Sequence, residues 1–128
     1  MTERDLEKYW RDTAKDSLDT AEGLFKLKRY HHALFFCHLS LEKILKGLVF
    51  VKTGQHALPI HDLVKLSHQA KLPLNNSQID ELSEIATFNV AARYDNIKRD
   101  FYHKATEDFA TVWLNKTKEI FLWLTKQF

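Results

Sequence analysis

An all-α fold, an up-and-down antiparallel bundle of about five helices, is what this sequence predicts, and three observations predict it. Apolar residues recur at steps of three and four through most of the chain. Only three glycines and two prolines occur in 128 residues, which leaves few of the tight turns that a sheet needs. Hydrophobic residues make up 45% of the chain, too many for a long disordered segment and enough for one core. The expectation is a single helical domain over residues 1–128.

The first helix is predicted from about Thr2 to Leu27, on the stripe Leu6, Trp10, Ala14, Ser17, Ala21 and Leu24. Thr2 is placed to cap it, and Glu3 and Asp5 suit the positive end of its dipole. Lys26 to Arg29 then reads as a short cationic connection. A second helix is predicted from about Tyr30 to Lys52, ending near Gly54. Its main stripe is Tyr30, Ala33, Leu34, Cys37, Leu41, Ile44, Leu45 and Leu48, while Phe35, Phe36, Leu39 and Phe50 fall on the other side. A helix apolar on two faces is central in its bundle or meets a partner chain, so a homodimer or a partner surface is expected there. A loop leads to a short helix at about Asp62 to Gln69, and another loop follows Lys71. Ser77 is the expected cap of a helix from Gln78 to about Ala91, with Ile79, Leu82, Ile85, Ala86 and Val90 buried. The stretch from Asn89 to His103 reads as an interruption between helices. The last helix is predicted from about Ala105 to Lys126, on Phe109, Val112, Trp113, Ile120, Trp123 and Leu124.

The formal charge is +2 at pH 7, with 19 Lys and Arg against 17 Asp and Glu. The chain is therefore not globally basic, and any hold on RNA or DNA must come from a local patch. Cys37 is the only cysteine, which excludes an internal disulfide and a cysteine-rich zinc site. No signal-like start is present and no apolar run approaches the roughly 20 residues that span a bilayer, so a cytoplasmic protein without membrane contact is expected. HExxH, CxxC and glycine-rich phosphate loops are absent, and neither a metal nor a cofactor is expected.

The chemistry concentrates between residues 89 and 103, where Arg93, Lys98 and Arg99 lie beside Tyr94, Phe101, Tyr102 and His103. Basic groups bind phosphate, aromatic faces stack on bases, and a histidine moves protons near neutral pH. If helical, this stretch sets Arg99 and His103 on one face. The imidazole could then move protons and the guanidinium stabilise the phosphorane of a metal-free RNA cleavage. The plain alternative is a solvated lead-in to the last helix. Arg93 and Tyr94 either border a nucleotide-sized groove, or Arg93 pairs with a carboxylate such as Glu42 while Tyr94 packs. Glu42 and Lys46, four residues apart, stabilise their helix by roughly 0.2–0.5 kcal/mol. His61 and Asp62 read as a polar pair capping the short helix. His31, His32 and His38 read as helix residues without carboxylates at ligand spacing, and Cys37 as an inert core residue.

Three motifs in order resemble one family. Ala33-x3-Cys37-x3-Leu41-Glu42-Lys43-x-Leu45-Lys46-Gly47-Leu48 is similar to the signature second helix of HEPN domains (higher eukaryotes and prokaryotes nucleotide-binding). Pro59-Ile60-His61-Asp62-Leu63 resembles their His-Asp-Leu turn, and Asn89-x2-Ala92-Arg93-Tyr94 their Ala-Arg-Tyr segment, here without the proline that follows it. The resemblance implies a helical bundle that commonly forms homodimers, often encoded beside a minimal nucleotidyltransferase in toxin–antitoxin pairs. It also implies binding of RNA or nucleotide, with Arg93, Tyr94 and Lys46 on matching motifs as groove-lining candidates, beside Lys98 and Tyr102 from the basic and aromatic stretch. Toxic members resemble metal-independent endoribonucleases carrying Arg, four to six residues, then His. Arg99 and His103 enclose three residues here. In this reading they would be the catalytic pair, at a dimer cleft. The alternative is a non-catalytic partner that presents its Phe35, Leu39 and Phe50 face to another protein.

Overall fold

Two 24-residue helices, α1 (Glu3–Lys26) and α2 (Tyr30–Thr53), form an antiparallel pair in this computed structural model, which describes residues 2–89 and 95–128. The direction follows from the contacts along it. The Phe25 and Tyr30 rings meet edge-on at the turn, Lys43 Nζ donates to Ser17 Oγ at 3.0 Å, and Trp10 lies on Gly47. α1 begins on a capping box, Thr2 accepting from the Asp5 N–H while the Asp5 carboxylate accepts from the Thr2 N–H. α2 ends at Gly54, whose φ of 71° is the left-handed cap that glycine adopts without a steric cost. Around this pair stand α3 (Leu63–Gln69), α4 (Asn76–Ala86), α5 (Asp95–Lys104) and α6 (Glu107–Thr125). The described residues are all-helical, as expected, with no strand among them.

The differences from the sequence reading have local causes. α4 is capped by Asn75 and not by Ser77. Asn75 Oδ1 accepts from the Gln78 N–H at 2.8 Å, and Gln78 Oε1 accepts from the Asn75 N–H at 2.9 Å, a second capping box. The helix stops at Ala86, with Thr87 as its C-cap. Phe88 then turns inward and is fully buried. The stripe of α6 is Ala110, Leu114, Thr117, Ile120, Phe121 and Leu124, whereas Val112 is 48% exposed. Thr117 conceals this stripe in the sequence, because it is polar; its hydroxyl donates to the Trp113 carbonyl at 2.7 Å. The sixth helix comes from residues 95–104, which form a helix where an interruption was expected.

α2 is the central element, with buried residues over more than half of its circumference. The faces behave differently, however. Phe35, Phe36, Leu39 and Phe50 are half-buried in the protomer, Phe35 against Phe36 and His38, and Phe50 against His56. Cys37 is a core residue, as expected, and burial pushes its thiol up to about 12. None of the described helices is long and apolar enough to cross a membrane.

The close approach of α1 and α2 depends on Gly47. A Cβ there would lie 2.7 Å from Trp10 Cβ, a side-chain atom too near its own backbone to swing away. Gly47→Ala is expected to destabilise the protein by about 1–3 kcal/mol, the usual range for overpacking. A urea denaturation of the two proteins checks this, and an unchanged midpoint would show that the helices separate freely at this point.

Candidate functional site

α5 is a short amphipathic helix held by one large buried side chain. Phe101 is buried, and its ring lies 5.5 Å from that of Phe88, which also meets Phe109 and Trp113 of α6 at 5.9 Å each. With Phe101 as the anchor, Lys98, Arg99, Tyr102 and His103 remain exposed. Asp95 at the start and His103 and Lys104 at the end complement the helix dipole. Lys104 is also tied down, its Nζ 2.9 Å from Glu84 Oε1.

The exposed side of α5 meets the start of α2. The Tyr102 ring stands edge-on to His31 at 4.8 Å, and His31 lies 4.0 Å from His32. His31 and Tyr102 both border two recesses. One, of about 540 Å³, is lined by His31, His32, Phe35, Lys98, Arg99 and Tyr102, with Phe101 at its base. The other, of about 480 Å³, is lined by Lys28, Arg29, Tyr30, His31, Tyr102 and His103, with Ala105 and Thr106. Both fall in the range that takes a nucleotide-sized ligand.

The first recess is aromatic with cations on its rim; the second is polar with two cations and two imidazoles. The α2 N-cap, Arg29, makes no side-chain cap hydrogen bond, and no acidic residue occupies the first turn. The positive end of the α2 dipole therefore adds to Lys28 and Arg29 instead of being neutralised. His31 sits below the usual imidazole value, first through burial and then through the neighbouring His32 and Arg29. It is neutral at pH 7.

A second polar group lies further along α2. Glu42 is only 6% exposed, and its carboxylate takes the Nδ1–H of His61 at 2.7 Å and Lys46 Nζ at 3.1 Å. His38, 1% exposed, donates Nε2–H to the His61 carbonyl at 3.2 Å, with Glu42 Oε1 at 3.5 Å. Burial outweighs these contacts and lowers the His38 value, so the contact with Glu42 is not an ion pair. Its Nδ1 has no hydrogen-bond partner among the described residues. His61 thus differs from the expected cap: Asp62 alone caps α3, accepting from the Lys65 N–H at 3.1 Å, while His61 reaches back to α2. His38 and Glu42 likewise form an i, i+4 pair, where no carboxylate partner was expected. Among the described residues no group of three or more His, Cys, Asp or Glu is placed to hold a metal ion.

Of the candidate residues, Lys98, Arg99 and Tyr102 come together in the aromatic recess, and Tyr102 and His103 in the polar one. Arg99 and His103 share one face of α5, as helical geometry requires, yet they border different recesses. Lys46 is engaged with Glu42 and lines neither. Arg93 and Tyr94 lie outside the described residues, and with them the pairing of Arg93 with Glu42. The sequence reading missed His31, His32, Lys28 and Arg29. Their one signal was a run of cationic and imidazole side chains at a helix start, where acidic residues are the rule.

The family model for the HEPN domain matches residues 7–127. The crystal structure of TT1696 from Thermus thermophilus superposes with a TM-score of 0.79 at 21% identity, covering 95% of this chain and 98% of that one. That likeness is one of fold. No curated protein matches the sequence.

Because His38 is neutral when folded, it gains a proton on unfolding below its ordinary value of 6.5. The unfolded chain then binds more protons. Stability is present in full above 6.5 and is lost as pH falls from there toward the lower folded value, by up to about 1.4 kcal/mol per pH unit. His31 acts in the same direction. In His38→Gln the drop in urea midpoint between about pH 7.5 and about pH 5.5 is expected to be smaller than in the parent. An equal drop would assign the pH dependence to other groups.

Proposed function

This chain belongs to the HEPN domain family, and on that premise we propose that it binds single-stranded RNA or a nucleotide in the cleft between the start of α2 and α5. Membership supports a function connected with nucleotides or RNA. The observation that carries the reading to this cleft is the contact of Tyr102 with His31, which joins two cationic and aromatic segments some seventy positions apart in the sequence. Rings suit bases, cations suit phosphates, and single strands offer both to one surface. Duplexes do not, because their bases are stacked inside.

The finer parts of the proposal rest on the family resemblance together with this geometry. Two protomers would meet at the cleft, and a minimal nucleotidyltransferase would be the protein partner in a toxin–antitoxin pair. Metal-independent cleavage would be carried by His103, with Arg99 on the phosphate.

Binding is read from the anisotropy of a labelled single-stranded RNA oligomer titrated at several salt concentrations. Affinity is expected to fall steeply with salt, and Lys98→Gln with Arg99→Gln should lower the log–log slope by about 1.4, or roughly 0.7 for each phosphate no longer neutralised. Tyr102→Ala should weaken binding by roughly 1–3 kcal/mol at every salt concentration, as removal of a stacking ring does. Salt-insensitive binding, or affinity indifferent to all three substitutions, would place the RNA elsewhere or remove it.

A further inference from the structure

We propose that His61 is a phosphoryl-acceptor site, its Nε2 nitrogen taking a phosphoryl group from a small phosphoramidate-class donor. The site is separate from the cleft described above. It belongs to the loop before α3, and its recess shares no lining residue with the two recesses of that cleft. Its basis is a carboxylate–imidazole pair. Glu42 Oε1 takes the Nδ1–H of His61 at 2.7 Å, and an ionised carboxylate only accepts, so in the neutral ring the proton is on Nδ1 and the lone pair on Nε2.

Two further contacts hold this pair in place. Lys46 Nζ lies 3.1 Å from Oε2, the other oxygen of Glu42, which stops the carboxylate from turning away. The His61 carbonyl accepts Nε2–H from His38 at 3.2 Å, which fixes the backbone under the ring. The Glu42 side chain is 7% exposed and that of His61 62%, so one edge of the imidazole is anchored inside and the other is offered to solvent. A carboxylate on Nδ1 orients the ring for attack through Nε2 and matches the positive charge that the ring gains as a bond forms there.

The surroundings select the group that is transferred. The recess beside the ring, of about 230 Å³ between His61, Asp62, Ala86, Thr87 and Asn89, is smaller than the roughly 300–1,000 Å³ of ordinary ligand sites. It suits a group of a few atoms, and so a small donor in place of a nucleotide. Asp62 in that recess is engaged as the cap of α3, accepting from the Lys65 N–H. An acyl group on so exposed a nitrogen is lost to water, whereas a phosphoryl group repels incoming hydroxide with its own charge and stays.

The step balances with phosphoramidate as donor. The Nε2 lone pair bonds to phosphorus, and the P–N bond breaks with its electron pair on the leaving nitrogen, which departs as ammonia. The Nδ1 proton stays in its hydrogen bond to Glu42, whose negative charge offsets the charge on the substituted ring.

The test treats the whole protein with potassium phosphoramidate near neutral pH and follows each histidine by peptide mass mapping under alkaline conditions, which preserve the P–N bond. His56 and His68 are exposed, with no carboxylate contact among the described residues, and serve as controls within the same chain. His61 is expected to be labelled about tenfold faster than either, the worth of a hydrogen bond to a charged group made by the reacting ring. NMR of the labelled protein is expected to place the phosphoryl group on Nε2. Glu42→Gln, which keeps an acceptor and removes the charge, should bring the His61 rate down toward that of His68. If this variant does not fold, as its thermal midpoint would report, the ratio of rates in the parent still decides. Labelling of His61 no faster than His56 and His68 would overturn the proposal, as would a phosphoryl group on Nδ1. An unchanged His61 rate in folded Glu42→Gln would overturn the role of the carboxylate.

Discussion

α2 is buried along nearly its whole length, and the rest of the molecule is arranged to bury it. A helix in a small bundle usually shows one apolar stripe to the core and a polar face to water. In α2 the buried positions include Ala33 and Leu34, Cys37 and His38, Ser40 to Glu42, and Gly47 to Val49, which together leave no continuous polar face. Each remaining helix covers a different part of it. α1 lies along one side, close enough that only glycine fits at position 47. α6 brings Thr117 to Cys37, and α3 and its preceding loop close over Glu42. The start of α2 is the part left open, and α5 approaches it there.

Two kinds of contact complete that burial, and they set different things. Glu42 is a carboxylate inside the bundle, and a buried charge must be matched by donors or it costs several kcal/mol. Lys46 from its own helix and His61 from the loop match it, so the loop before α3 has one position on α2 and not a range of them. Phe88 does for the other end what Glu42 does for the middle. Its ring gathers Phe101, Phe109 and Trp113, which packs α5 against α6. Because Phe101 is the one wholly apolar anchor of a polar helix, the orientation of Lys98, Arg99, Tyr102 and His103 follows from where Phe88 lies.

The helical class and most helix ends were legible because they depend on local chemistry: Thr2 and Asp62 as caps, Gly54 as a left-handed terminus, and the three- and four-residue steps of α1 and α2. The capping box of α4 was equally local and was missed because Ser77 competed with Asn75 for the same role. α5 was harder. Its sequence has two strong apolar residues in ten positions, Ile97 and Phe101, too little periodicity to distinguish a helix from a solvated turn. Half of the candidate site was visible for the same reason that the helix was not, since Lys98, Arg99, Tyr102 and His103 make an unusual local composition. The other half could not be read, because Lys28, Arg29 and His31 acquire meaning only when α5 folds back on them. His38 and Glu42 were misjudged differently: their spacing was in plain view, but burial, which gives that spacing its chemistry, belongs to the tertiary structure.

The electrostatics of the α2 start connect these observations. Helix N-termini ordinarily carry acidic residues, and a chain that places Lys28, Arg29, His31 and His32 there gives up part of the helix stability that a negative side chain would add. The deficit is offset by packing, since Tyr30 meets Phe25 and its hydroxyl donates to Glu107 of α6 at 3.1 Å, which anchors the turn without neutralising it. The same cations act twice. They set up a positive field, and Arg29 among them disfavours a positive charge on His31, which burial disfavours more. The positive field of this recess and the lowered value of His31 are therefore not separate properties. Burial remains the larger cause of the lowered His31 value, and the charge of Arg29 adds to it. The arrangement ties the basicity of one imidazole to the charge around it, and it does so with side chains that a search for catalytic spacing along the sequence passes over.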